Sequence, residues 1–156
     1  MWFDGGVTTI TATVLIEAPP AAVADVLLDA AAAPLWTSGL RSLELVAGES
    51  GRPGSVGRAV YDEGGRTSVF EDRLLEVSPN QRYVSALTGP GLCARIETTL
   101  DAVEAETTRV TVRWSGTGTA PMARVALPLL RRRIARRSER DLMALKRLTE
   151  ERWSSR

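Results

Sequence analysis

"LPLLRRRIARRSERDLMALKRL", Leu127 to Leu148, carries eight Arg or Lys side chains in 22 residues. Whether that charge belongs to a binding arm or to one wall of a folded body decides the fold. On a helical wheel of about 100° per residue, Ala123, Leu127, Leu130, Ile134, Leu145 and Leu148 fall within a narrow arc. Arg132, Arg136 and Arg140 fall opposite, with Arg131 and Arg133 on the flanks. An apolar stripe of this kind must be covered, so the segment reads as an amphipathic wall packed on a sheet, with its arginines in solvent. The element is predicted to run from Thr119, as N-cap, to about Arg152, with Pro128 kinking or restarting it. Arg137 and Asp141 interrupt the apolar arc four residues apart, the spacing at which helical side chains meet. They form either a partly exposed salt bridge or, turned inward, a polar handle in an apolar interior, where burial demands a partner.

The sheet that this stripe requires is readable upstream. In "VTTITATVLIE", Ile10, Ala12, Val14 and Ile16 alternate with threonines and Glu17, the period of a half-buried strand. "APPAAVADVLLDAAAAPLW" follows, with prolines suited to a first helical turn and Val23, Val26, Leu27 and Ala30 on one face. Pro34 breaks that helix, and a short second one through Leu35, Trp36 and Leu40 is predicted. From Arg41 to Ser115, β-prone runs near 41–48, 55–63, 66–77, 81–88, 91–103 and 107–116 are separated by "ESGRPG", "GG", "SPN", "GPG" and "EAE". The result is an antiparallel meander, with Gly64 and Gly65 forming a tight hairpin.

Composition narrows the chemistry. The 156 residues include no His and one Cys, Cys93. Histidine-dependent nucleophilic triads, an intramolecular disulfide and a cysteine metal cage are therefore excluded, and Cys93 reads as a buried structural thiol. No metal and no cofactor are expected. No uncharged stretch exceeds 12 residues, which predicts a cytoplasmic, single-domain chain (1–156, core 8–152). Residues 1–120 hold nine Arg against fifteen Asp and Glu, while residues 121–156 hold eleven basic against four acidic groups. The basic groups lack interleaved aromatics, so nucleic acid is not an expected partner. The apolar stripe lacks Trp and Phe and is needed by the sheet, which leaves at most a weak contact with an anionic membrane. "SGTGTAP" at 115–121 imitates the start of a dinucleotide fingerprint, but position 121 is Pro and no strand follows the helix. Its glycines are expected to release the last strand and let the helix cross the sheet.

Strand, two short helices, six-strand meander and long closing helix together resemble the SRPBCC superfamily, also called START-like or helix-grip proteins. The nearest likeness is to its polyketide cyclase/dehydrase branch, a bacterial reading. "VTTITATVLIEAPPAAVADVLLDAAAAPLW" and "LPLLRRRIARRSERDLMALKRLTEE" carry the resemblance, which spans roughly residues 8–152. It implies an α+β fold in which a curved antiparallel sheet of about seven strands wraps the C-terminal helix. It also implies an apolar cavity between them that takes a lipid, polyketide or other hydrophobic small molecule. Only some members of the superfamily catalyse a reaction.

Alternation then nominates the cavity wall. Trp114 is in phase with Val110 and Val112, Ile96 with Ala94 and Leu100, while Tyr61 and Phe70 lie on neighbouring strands across the glycine hairpin. Trp36 follows the first helices, near where the superfamily places its cavity mouth. With Leu130 and Ile134 from the helix, these form the expected apolar wall, and Arg137 and Asp141 the polar contact. Each aromatic serves equally well as ordinary core packing. The expected work is carriage or sensing of an amphipathic ligand by a monomer or homodimer. A cofactor-independent aromatase/cyclase or dehydrase is the alternative, with Asp62, Glu71, Asp72, Asp141 and Tyr61 as available acid or base groups. A membrane-peripheral lipid handler that uses the arginine face is the third reading.

Overall fold

The computed structural model describes residues 6–156. The first five residues of the predicted 1–156 domain lie outside the described residues. β1 (Val7–Ile16) keeps the alternation of its sequence, with Ile10, Ala12 and Ile16 buried and threonines between them turned outward. The chain then enters α1 (Pro20–Leu27) with Pro20 in the first turn, where a missing N–H costs nothing. The second helix, α2 (Ala33–Trp36), is shorter than predicted: Leu40 belongs to the next strand.

Six strands follow as a meander: β2 (Leu40–Ala47), β3 (Val56–Glu63), β4 (Arg66–Ser78), β5 (Arg82–Gly89), β6 (Leu92–Glu104) and β7 (Thr107–Gly118). Every neighbouring pair is antiparallel, and β1 returns to pair with β7, giving the order β1-β7-β6-β5-β4-β3-β2. Gly64 and Gly65, both at positive φ, make the two-residue turn between Glu63 and Arg66. Register shifts in the β2–β3, β4–β5 and β6–β7 ladders mark bulges, and bulges bend the strands that carry them. The seven strands form an open, curved sheet with a concave face.

The closing segment occupies that face, but as two helices instead of one. α3 (Pro121–Leu129) is capped by the backbone of Ala120, not by the predicted Thr119, with Pro121 at its first position. Pro128 lies in its last turn, and the helix breaks at Leu130 before α4 (Arg131–Ser154) begins. A proline removes one N–H and crowds the carbonyl four residues back, so the helix cannot run on unchanged through it. The break slips the phase of the wheel. Leu127 points inward and Leu130, predicted inside, is 39% exposed.

Two apolar clusters hold the parts together. The larger joins β1, α1 and α4 through Ile16, Val23, Val26, Leu142 and Leu145, with Tyr83, Leu100 and Val110 from the meander. The smaller joins Ala33, Leu40 and Ala59, with Leu43, Tyr61 and Phe70 packed on it. Thr108 donates from its buried hydroxyl to the Ala18 carbonyl at 2.7 Å, locking the entry of α1 to β7. Cys93, on β6, is half-buried instead of fully buried as predicted, because alternation places Leu92 and Ala94 inward and turns the thiol away.

Candidate functional site

Members of both clusters line a cavity of about 640 Å³ between the concave sheet, α1–α2 and the closing helices. β3, β4 and β5 contribute every second residue along their lining stretches. β3 offers Gly57, Ala59, Tyr61 and Glu63, and β4 offers Arg66, Ser68, Phe70, Asp72 and Leu74. In register, Tyr61 lies opposite Ser68, Ala59 opposite Phe70 and Gly57 opposite Asp72. The far wall is Leu87, Ile96, Val112 and Trp114, and the helices close it with Trp36, Leu127, Ile134 and Leu145.

Of the residues predicted to line it, Trp36, Tyr61, Phe70, Ile96, Trp114, Ile134, Arg137 and Asp141 come together around this space. Leu130 does not: the helix break turns it to the surface. Asp62 and Glu71 also lie away from it. Each is one residue out of phase with a lining neighbour; Asp62 meets Arg41 and Thr67, and Glu71 meets Arg73, at the surface.

Two glycines shape the aromatic wall. A Cβ on Gly89 would sit 2.3 Å from the Phe70 ring, and one on Gly116 would sit 2.2 Å from the Trp114 indole. Both aromatics therefore lie flat along the sheet over a glycine, leaving the cavity open instead of filling it. A Cβ on Gly118 would meet the backbone of Ala123 at 2.5 Å, so α3 crosses the sheet directly over that glycine. The glycines of "SGTGTAP" are thus packing positions.

Polar groups converge where α4 meets the loop after α2. Asp141 accepts from the Ser38 N–H at 3.0 Å and from the Ser38 hydroxyl. Arg137 donates to the Ser38 carbonyl and pairs with Glu63 at 2.5 Å. The predicted Arg137–Asp141 pair is thus bridged by Ser38, with Glu63 as the ion-pair partner of Arg137. The guanidinium also lies 5.5 Å from the Tyr61 ring centroid, and Tyr61 meets Phe70 edge-on at 5.5 Å and 81°. Gly39, at positive φ, packs against Glu63, whose carboxylate would lie 2.6 Å from an added Cβ. Ser38 and Glu63 were missed by sequence reasoning. Glu63 shares the phase of Tyr61 and was within reach of the same alternation, whereas nothing local distinguishes a loop serine.

Burial sets the titration of these groups. The Tyr61 phenol is pushed up to about 12 by burial, against the opposing pull of the Arg137 charge. Burial also raises the Asp141 carboxyl, and the hydrogen bonds from Ser38 offset part of that rise. Deeper along β4, Asp72 is pushed up to about 6 by burial, with the Ser85 hydroxyl opposing. A carboxyl in that range exchanges protons near neutrality, and it faces the cavity. Among the described residues no cluster of three or more His, Cys, Asp or Glu side chains is arranged for a metal ion. No helix among them is long and apolar enough to cross a membrane.

A family model described as "Polyketide cyclase / dehydrase and lipid transport" matches residues 7–150. Among solved structures, the Zhui aromatase/cyclase from Streptomyces sp. R1128 is 21% identical, with a TM-score of 0.78 over 94% of this chain and 95% of that one. A START superfamily protein from Mycobacterium smegmatis is 17% identical, TM-score 0.69, over 94% and 97%. A conserved protein from Geobacillus kaustophilus is 15% identical, TM-score 0.78, over 92% and 96%. At these identities the likeness is one of fold, here the helix-grip fold. No curated protein matches the chain.

Proposed function

The chain belongs to the polyketide cyclase / dehydrase and lipid transport family, and from that premise we propose that it binds one amphipathic small molecule, lipid- or polyketide-like, as a carrier or sensor. The observation that carries this reading is the cavity of about 640 Å³, a size typical of small-molecule sites, with largely apolar walls and the Arg137–Ser38–Asp141 group at one end. The apolar body of the ligand lies against Trp36, Phe70, Ile96, Trp114 and Ile134. Its polar end lies toward Tyr61 and the Arg137–Ser38–Asp141 group.

A packed core does not leave such a space: interiors fill to near crystal density, and an unfilled void costs stability in proportion to its volume. Retaining the void supports a ligand. The polar group is mostly satisfied internally, so it fixes the ligand's direction more than its affinity. One specific observation favours the enzymatic alternative, a cyclase or dehydrase: Asp72 titrates near neutrality inside the cavity, with the Tyr61 phenol within its electrostatic reach.

Titration with a fluorescent fatty acid tests the proposal. The parent chain is expected to bind it saturably at one site, and Ile96→Trp, which fills the space in front of the far wall, to weaken binding at least tenfold, about 1.4 kcal/mol. Equal affinity in both chains would show that the probe sits elsewhere. Asp72→Asn separates carrier from enzyme: a carrier keeps or shifts its affinity, whereas a cyclase or dehydrase keeps ligand and loses turnover.

A further inference from the structure

α3 has two apolar faces and only one of them is used. Leu127 turns inward and lines the cavity, and Ala123 packs over Gly118. On the other side stand Met122, Val125 and Leu129, exposed by 85%, 69% and 80%, the three largest exposures among the large hydrophobic side chains described. Their spacing places them on one helical face, with Ala126 between them. Immediately past the helix break come Arg131, Arg132, Arg133 and Arg136, all exposed, and Arg131 is held to the edge of the sheet by a 3.0 Å bond to the Thr9 carbonyl.

We infer that the outward face of α3, with the arginines that follow it, is a docking surface for an anionic lipid bilayer. Exposed apolar side chains followed at once by exposed arginines match the acyl boundary and the phosphates of such a surface together. Size argues against a stable protein partner. Nine residues of helix extend only about 14 Å and a helix is about 10 Å across, so this face covers on the order of 140 Å², far short of the roughly 800 Å² per partner that a specific protein interface buries. A nucleic acid would satisfy the arginines but not Met122, Val125 and Leu129, which offer no aromatic ring for stacking. The inference goes beyond ligand binding: because the inward face of α3 closes the cavity, seating its outward face in a bilayer brings the cavity to a lipid source.

Flotation of the full chain with vesicles of phosphatidylglycerol, and separately of phosphatidylcholine, tests the surface. The chain is expected to float with the anionic vesicles at low salt, to be released as salt rises, and to ignore the zwitterionic ones. The pairs Val125→Asp with Leu129→Asp, and Arg132→Glu with Arg133→Glu, should each weaken partitioning by about tenfold or more. Fluorescent fatty acid affinity and thermal unfolding should stay at parent values, since none of the four side chains lines the cavity. If the aspartates unfold the chain, Met122→Gln with Val125→Thr gives the same ordering. Failure to float at low salt overturns the inference, as does full partitioning of either double variant. So does a dimer that the aspartate pair dissolves without changing flotation, which would assign the face to a second copy. A cavity that binds fatty acid while flotation fails leaves the proposed function standing.

Discussion

The Asp72 carboxyl is held at about 6 by burial, well above its ordinary range, with only the Ser85 hydroxyl opposing the shift. Between the ordinary value and 6 the folded chain binds this proton more tightly than the unfolded chain does. Stability contributed by the protonated form is therefore present at low pH and lost as pH rises through that window. Asp72→Asn removes the penalty and is expected to stabilise the chain by up to about 3 kcal/mol at neutral pH, with the advantage vanishing toward about pH 4. Thermal melts across pH measure this, and parallel curves for parent and variant would contradict a buried carboxyl. At this scale the sequence was legible only in part. Helical phase flagged Arg137 and Asp141 as polar residues on an apolar stripe, whereas Asp62, Glu71 and Asp72 were offered together as acid or base groups and only the structure shows Asp72 alone of the three facing the cavity. Ser38 joins Asp141 across 103 residues of chain, and no local pattern carries information about a partner at that separation.

Among the elements, the strands were the most readable, because period two and glycine-rich turns are local signals that the antiparallel ladder simply adopts. The closing helix was less so. Its stripe was visible, and Ala123 and Leu127 face inward as the wheel places them, but the wheel assumed one unbroken phase, and the interruption at Leu130 turns that residue to the surface. The glycines of "SGTGTAP" were expected to let the helix cross the sheet, as Gly118 does beneath Ala123; that Trp114 lies over Gly116 is a rotamer choice invisible to alternation. Gly116→Val is expected to lift the indole off the strand and into the cavity, lowering fluorescent fatty acid affinity severalfold and costing about 1–3 kcal/mol of stability from strain. Denaturant unfolding and ligand titration measure the two effects. Unchanged affinity would mean that Trp114 is not part of the ligand wall.

For the molecule as a whole, an open curved sheet cannot bury its concave face alone, and a helix with one apolar stripe cannot bury that stripe alone. Each solves the problem of the other, which is why the element order, with the family resemblance it carries, led to the helix-grip architecture. Element order does not predict how completely they fill the space between them. That depends on side-chain volumes facing each other across the cavity, and here Phe70 and Trp114 flatten over glycines and leave about 640 Å³ unfilled. The central claim is that this space holds a ligand. Native mass spectrometry of the freshly purified chain, followed by denaturing extraction, tests it most directly. The account predicts a reproducible mass increment that extraction releases as an amphipathic molecule and that Ile96→Trp abolishes. A clean mass for the parent chain, together with no uptake of an added fluorescent fatty acid, would contradict it.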